Sequence, residues 1–251
     1  MRRILIFVTL ILILVAVYRL SLLASGWHYV VPAPPGELLY LSTFDPDTTD
    51  WEQDEGFLFS RVADGLMLVG VDEIGEGIYS AASPYFRNFD FSVEVNALEG
   101  PLDNGFGVVF RQRDRQNYYT FFISSDGFYR VERVTPGATK VLSEWHTTPL
   151  VNQGLEARNT LRVIGYEDRF QFFINGEQVE LCIPDSVDGV STPLATGECL
   201  SGTWQTTLVD DSIRFGRLGV AAAVSLAQEP GVRVGFDNVI VLGPEPIPAE
   251  R

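Results

Sequence analysis

Between residues 38 and 243 the chain alternates apolar and polar positions in short runs. Residues 91–97 put Phe91, Val93 and Val95 on one side and Ser92, Glu94 and Asn96 on the other, the two-residue period of a half-buried strand. Further runs follow at 105–112 (GFGVVFRQ), 118–124 (YYTFFIS) and 128–134 (FYRVERV). They are joined by RDRQN and SDG, which is turn chemistry. Residues 159–165 and 169–174 make another pair, and Asn175-Gly176 leads into 177–179. Asn-Gly between strands is the strongest short-range hairpin signal. Residues 219–224 and 232–242 supply the last strands. After residue 30 no stretch has the spacing of an amphipathic helix of normal length, and no internal repeat is visible. Many short antiparallel strands without helices predict a sandwich or a barrel.

The N-terminus has a different pattern. Residues 4–17 are apolar apart from Thr9, with Arg2 and Arg3 ahead of them. Counted through Ala24, the segment is long enough to cross a bilayer core of about 30 Å. Arg19 can snorkel to the far interface, and Trp27 and Tyr29 fit an aromatic belt. The pattern predicts an uncleaved signal anchor, one transmembrane helix within residues 1–26. The alternative is a cleaved signal peptide with its site near Ala24, to which Leu22 is poorly suited. Both readings put the remainder outside the cytoplasm, because Arg2 and Arg3 hold the start inside. The expected location is therefore the cell membrane, single-pass, or the secreted fraction if the segment is removed. Residues 27–37 form a Pro-rich juxtamembrane spacer, residues 38–243 one β-sandwich, and residues 244–251 a Pro-rich tail.

The formal charge of the 251-residue chain is −15. So acidic a protein repels phosphate backbones, which argues against a nucleic-acid partner. Lys140 is the single lysine among 18 cations. Genomic composition explains that bias, although arginine also suits planar, bidentate contacts. The two cysteines, Cys182 and Cys199, lie in one polar stretch. A metal site needs more ligands close by. A disulfide closing a surface loop fits better, and would contribute about 3 kcal/mol. It also requires the oxidising compartment that the N-terminus implies.

Residues 103–134, DNGFGVVFRQRDRQNYYTFFISSDGFYRVERV, resemble the central hairpins of concanavalin A-like lectin/glucanase domains. They are most similar to the bacterial laminin-G-like and 3-keto-disaccharide hydrolase-like subset. Glu144-Trp145, the segment from Asn159 to Val179 and Phe236-Asp237-Asn238-Val239 fit the same pattern. The resemblance implies an all-β jelly roll of two antiparallel sheets, one concave and commonly used for carbohydrate. The stretch holding Cys182 and Cys199 is then an insertion. In several families of this fold a last-strand Asp binds a structural calcium. Asp237 matches that position, with Asp45 and Asp47 near the first strand. Calcium takes six to eight oxygens, so the sequence shows only a fragment of a site. The plainer reading is that Asp237 caps a turn or pairs with an arginine. No cofactor is required.

Alternation defines a candidate ligand face. With Phe106, Val108 and Phe110 in the core, Arg111 falls on the opposite side. Neighbouring strands add Tyr118 and Phe122, then Arg130 and Glu132. Sugars suit such a surface, because their C–H faces stack on rings while Arg and carboxylate bridge hydroxyls. The plainer alternative is a solvated face with an Arg130–Glu132 pair. Glu94 and Glu99 have the spacing of a laminarinase-type motif, but Asn96 replaces its central acid, and a solvated strand face explains all three. His28 lies beside the membrane segment and His146 in an expected loop, neither with a nucleophile beside it. The reading is a tethered, non-catalytic binder of carbohydrate or a cell-surface glycan. Its rivals are a glycoside hydrolase or 3-keto-disaccharide hydrolase, and a laminin-G-like protein-interaction module.

Overall fold

The computed structural model describes residues 9–11, 13–19 and 28–248. Residues 9–11 and 13–19 are helical. No helix among the described residues is long and apolar enough to cross a membrane. Most of the expected anchor, including Arg2, Arg3 and Ala24, lies outside the described residues, as does Trp27 of the spacer.

From Val31 onward the chain forms one compact unit. The strands begin with β1 (Val30–Val31), β2 (Leu38–Ser42), β3 (Leu58–Ala63), β4 (Leu66–Val71), β5 (Gly77–Phe86) and β6 (Phe89–Glu99). The central hairpins are β7 (Gly105–Asp114), β8 (Asn117–Ile123), β9 (Phe128–Thr135) and β10 (Ala138–Thr147). Next come β11 (Asn159–Tyr166), β12 (Arg169–Ile174), β13 (Glu177–Gln178), β14 (Leu181–Pro184), β15 (Thr192–Pro193) and β16 (Cys199–Leu200). The last are β17 (Gly202–Gln205), β18 (Leu208–Val209), β19 (Gly216–Ala223) and β20 (Val232–Leu242). One sheet runs β5-β19-β7-β8-β9-β10, and the other β13-β12-β11-β6-β20-β4-β3. Their facing side chains build a single β-sandwich core.

The core follows from the alternation. Phe106, Val108, Phe110, Tyr119, Phe121 and Ile123 are buried, as expected. The Phe110 ring stacks on Tyr119 at 5.1 Å and tilts against Phe170 and Phe172 of the other sheet at 5.2 and 5.9 Å. Asn175 and Gly176 both take positive φ, 52° and 88°, as a two-residue type I′ hairpin requires.

One strand departs from strict alternation. In β7 the pairing with β19 passes from Val109↔Gly219 to Gln112↔Arg217, three steps against two. The strand therefore carries a β-bulge, with Arg111 at φ 51°. A bulge swaps the faces of the residues beyond it, and Arg111 turns inward, with no exposed surface. Its guanidinium donates to the carbonyls of Ile213 (2.8 Å), Arg87 (3.1 Å) and Glu167. It also lies over the Phe170 ring at 4.5 Å. Burial pushes its pKa down to about 10, so it stays charged near neutrality. Assigning Arg111 to the ligand face is thus corrected: it is a buried clasp beneath the sheet.

Two smaller expectations also resolve. Cys182 and Cys199 are bonded, with Cα atoms 5.5 Å apart. They tie together an insertion of two small hairpins, β14–β17 and β15–β16. His146, expected in a loop, lies in β10 together with Glu144 and Trp145. Register shifts on both sides of Ser143 disturb the pattern that would have marked that strand.

Candidate functional site

A groove of about 990 Å³ lies on the face of the first sheet that points away from the core. Its floor is a small apolar cluster of Val109, Phe122 and Ala221, with Tyr79, Tyr118, Trp145 and Ala223 packed against it. These positions are the outward-facing alternates of β5, β7, β8, β10 and β19. Gly105 lets two rings close over β7, since a Cβ there would come within 3.3 Å of both Phe122 and Trp145. Tyr79 and Tyr118 sit with ring centroids 5.5 Å apart, tilted by 59°.

Two polar arrays flank this floor. In one, Arg130 bridges Glu132 at 2.7 Å and Glu144 at 3.3 Å, and its guanidinium lies 5.8 Å from the Trp145 ring centroid. In the other, Arg217 donates to Gln112 (2.7 Å) and Glu52 (2.6 Å), and Gln112 donates to the Tyr79 hydroxyl (2.9 Å). Between the arrays is Thr120, 4% exposed, whose hydroxyl has no hydrogen-bond partner. It pairs in register with Val109 on one side and Glu132 on the other.

Burial sets the electrostatics. It raises the Glu132 carboxyl above the usual carboxylate range; Arg130 opposes the shift and Glu144 adds to it. Burial likewise raises Tyr118, with Tyr79 and Glu132 adding to the effect.

Of the five residues expected on this face, the fold brings four together: Tyr118, Phe122, Arg130 and Glu132 all line the groove. Arg111 does not, and beyond the bulge Gln112 takes the outward place. Sequence reasoning missed Glu52, Tyr79, Gln112, Glu144, Trp145 and Arg217. For Tyr79 the local pattern gave no signal, because Ile78 and Ala82 on the opposite face of the strand are apolar as well.

The remaining candidates lie elsewhere. Glu94 projects from β6, in the other sheet, and pairs with Arg158 at 3.3 Å; Glu99 ends the same strand, exposed. Asp237 accepts hydrogen bonds from the backbone (2.7 Å) and side-chain (3.3 Å) nitrogens of Asn238. Asp45 accepts one from the Thr43 hydroxyl at 3.1 Å. Among the described residues no group of three or more His, Cys, Asp or Glu is placed to hold a metal ion. The His146 ring packs between Tyr129 and Trp204, at 5.7 and 4.8 Å.

No family model and no curated protein matches this chain. Solved structures do share its fold. The carbohydrate-binding module CBM66 from Bacillus subtilis aligns at TM-score 0.53 and 13% identity, covering 77% of this chain and 95% of the module. A Bacillus subtilis protein of unknown function with a galectin-like fold aligns at 0.55 and 11% identity, over 84% and 98%. A third comes from work on endo-acting O-glycanases that human gut microbiota express to initiate mucin breakdown; it aligns at 0.54 and 11%, over 83% and 100%. At such identities the likeness establishes the β-sandwich fold, and function has to be argued from the site.

Proposed function

We propose that this chain is a membrane-tethered, extracytoplasmic, non-catalytic module that binds carbohydrate in the groove described above. The observation that carries the reading is the groove itself: half-buried aromatic rings beside Arg–carboxylate arrays, on the outer face of a β-sandwich. Aromatic faces take the C–H side of a sugar ring, while fixed acceptors and donors meet its hydroxyls. The folds it resembles include a carbohydrate-binding module and glycan-acting enzymes, which supports the class of ligand. A concanavalin A-like jelly roll, nearest the laminin-G-like subset, is the finer kinship we assign from residues 103–134. The tether is supported by the apolar run from Ile4 and by the helical residues within it. There Leu10, Ile11, Ile13, Leu14, Val15 and Val17 are all more than half exposed. The Cys182–Cys199 bond agrees with an oxidising compartment.

A glycan array probed with the compact unit from Val31 onward tests the ligand class. Once a glycan is identified, Tyr118→Ala should weaken its binding by about 1 kcal/mol or more, measured by titration calorimetry, while the melting curve stays cooperative. Unchanged affinity would remove the groove from the proposal. For the tether, protease added to intact cells should digest the sandwich and leave the extreme N-terminus protected. A domain shielded until lysis contradicts it.

One observation favours an enzyme on the same groove. Glu132 and Glu144 both reach Arg130, and burial holds the Glu132 carboxyl high, as a general acid requires. Hydrolysis of a glycan that disappears in Glu132→Gln would select that reading.

A further inference from the structure

We infer that the groove takes an uncharged, hydroxyl-rich glycan, one sugar ring of which lies over Thr120 and hydrogen-bonds to Thr120 Oγ1 and to the Glu132 carboxylate. The inference rests on the carbohydrate-binding reading and narrows it to a ligand class and a subsite.

The charge balance comes first. Of the four arginines lining the groove, the two that flank its floor are held in close ion pairs. Arg130 is held by Glu132 and Glu144, and Arg217 by Glu52 and Gln112. Arg115 is exposed and 4.0 Å from Asp54, and Arg113 lies over the Phe215 ring at 4.0 Å, its Nη1 without a hydrogen-bond partner. Acidic side chains outnumber them, since Asp114 and Glu76 also line the groove. Over the floor, a sulfated, phosphorylated or uronic ligand would have to break the Arg130 and Arg217 pairs and meet a surplus of carboxylates, in a chain already at −15. A neutral polyol instead donates its hydroxyls to carboxylates without displacing a cation.

The subsite comes from the orphan hydroxyl. Thr120 Oγ1 is buried and unpartnered, although a buried hydroxyl normally finds a partner. It faces the groove rather than the core, because it alternates with Tyr119 and Phe121, which fill the sandwich. Tyr118 and Phe122 stand two residues to either side on the same face. They are about 13 Å apart along the strand, by strand rise, and leave one ring's width between them. Glu132 stands directly across from Thr120 on β9, its side chain 17% exposed. One carboxylate oxygen faces Arg130, and the group keeps acceptor capacity for a ligand hydroxyl. Thr120 can donate or accept, so the pair can hold two neighbouring hydroxyls of one ring. The raised carboxyl of Glu132 agrees with an acceptor that water solvates poorly.

The test uses the full chain in a detergent that contains no sugar. Immobilised neutral polysaccharides (β-glucan, mannan, galactan) are compared with acidic ones (polygalacturonate, heparin, a sialylated oligosaccharide). Three variants are run: Thr120→Val, Thr120→Ser and Glu132→Gln. Binding should be confined to the neutral set and should change little with added salt, since ion pairing is not its source. Thr120→Val, equal in shape, should weaken binding by about tenfold or more, and Thr120→Ser should restore most of it. Glu132→Gln, which also loosens Arg130, should weaken binding while the melting curve stays cooperative. Binding only to the acidic set overturns the inference and leaves the carbohydrate reading standing. So does neutral binding that Thr120→Val and Glu132→Gln leave unchanged. Binding to neither set overturns both.

Discussion

Arg111→Ala should destabilise the sandwich by about 3 kcal/mol, from the hydrogen bonds and packing lost with a fully buried guanidinium. The reason lies in what would be left behind. The buried Ile213 carbonyl and the part-buried carbonyls of Arg87 and Glu167 would lose their donor together, and an unmet buried polar group costs about 1–3 kcal/mol. Phe170 would also lose the guanidinium packed on its ring. Arg111→Lys should recover little, because a point charge on a flexible stem cannot reach three divergent carbonyls as a planar fork does. Denaturant titration measures the loss as a fall in midpoint at constant slope. A change below about 1 kcal/mol, typical of a surface position, would mean that the arginine is not the clasp of the bulge. Binding should suffer with stability, since the bulge fixes Gln112, and through it Tyr79 and Arg217, on the groove face.

Opening the disulfide should have an effect of similar size. Replacing Cys182 and Cys199 together by serine, or reducing the protein, should lower stability by about 3 kcal/mol. For a domain of this size that corresponds to a drop of roughly 6–12 °C in melting temperature. Cys182 is fully buried and donates its backbone N–H to Ser143 Oγ at 3.2 Å, while its carbonyl accepts from Ser191 Oγ at 2.6 Å. The bond therefore anchors the insertion to β10 as well as closing a loop. Calorimetry with and without reductant checks this. Identical melting temperatures would show that the insertion is held by its packing alone.

How much was readable in the chain depends on how locally each feature is encoded. Phe106, Val108 and Phe110 could be assigned to the core because their alternation is uninterrupted and the opposite positions are smaller or polar. The same logic placed Tyr118, Phe122, Arg130 and Glu132 on one outer face, and the fold brings those four together. It failed at Arg111 because nothing in GFGVVFRQ marks a bulge: the left-handed residue is an arginine, not a glycine. The conformation is imposed by carbonyls from three distant segments. The other half of the site was hidden for a related reason. Tyr79, Arg217 and Glu52 come from strands and a loop far apart in sequence, so only the β5-β19-β7 pairing makes them neighbours. Trp145 and Glu144 sit in a strand whose register shifts twice. The cysteine pair needed only its count and compartment to be read, because a disulfide is a two-body feature.

The insertion held by Cys182 and Cys199 has one more effect. β10 ends its sheet, and a terminal strand offers unpaired amides and carbonyls to any strand of a neighbouring molecule. The insertion occupies that margin: β14 meets β10 through the Cys182–Ser143 hydrogen bond, and Lys140 of β10 reaches the Val187 carbonyl. Neighbouring copies thus find that margin covered, so opening the disulfide should favour edge-to-edge association as well as lower stability.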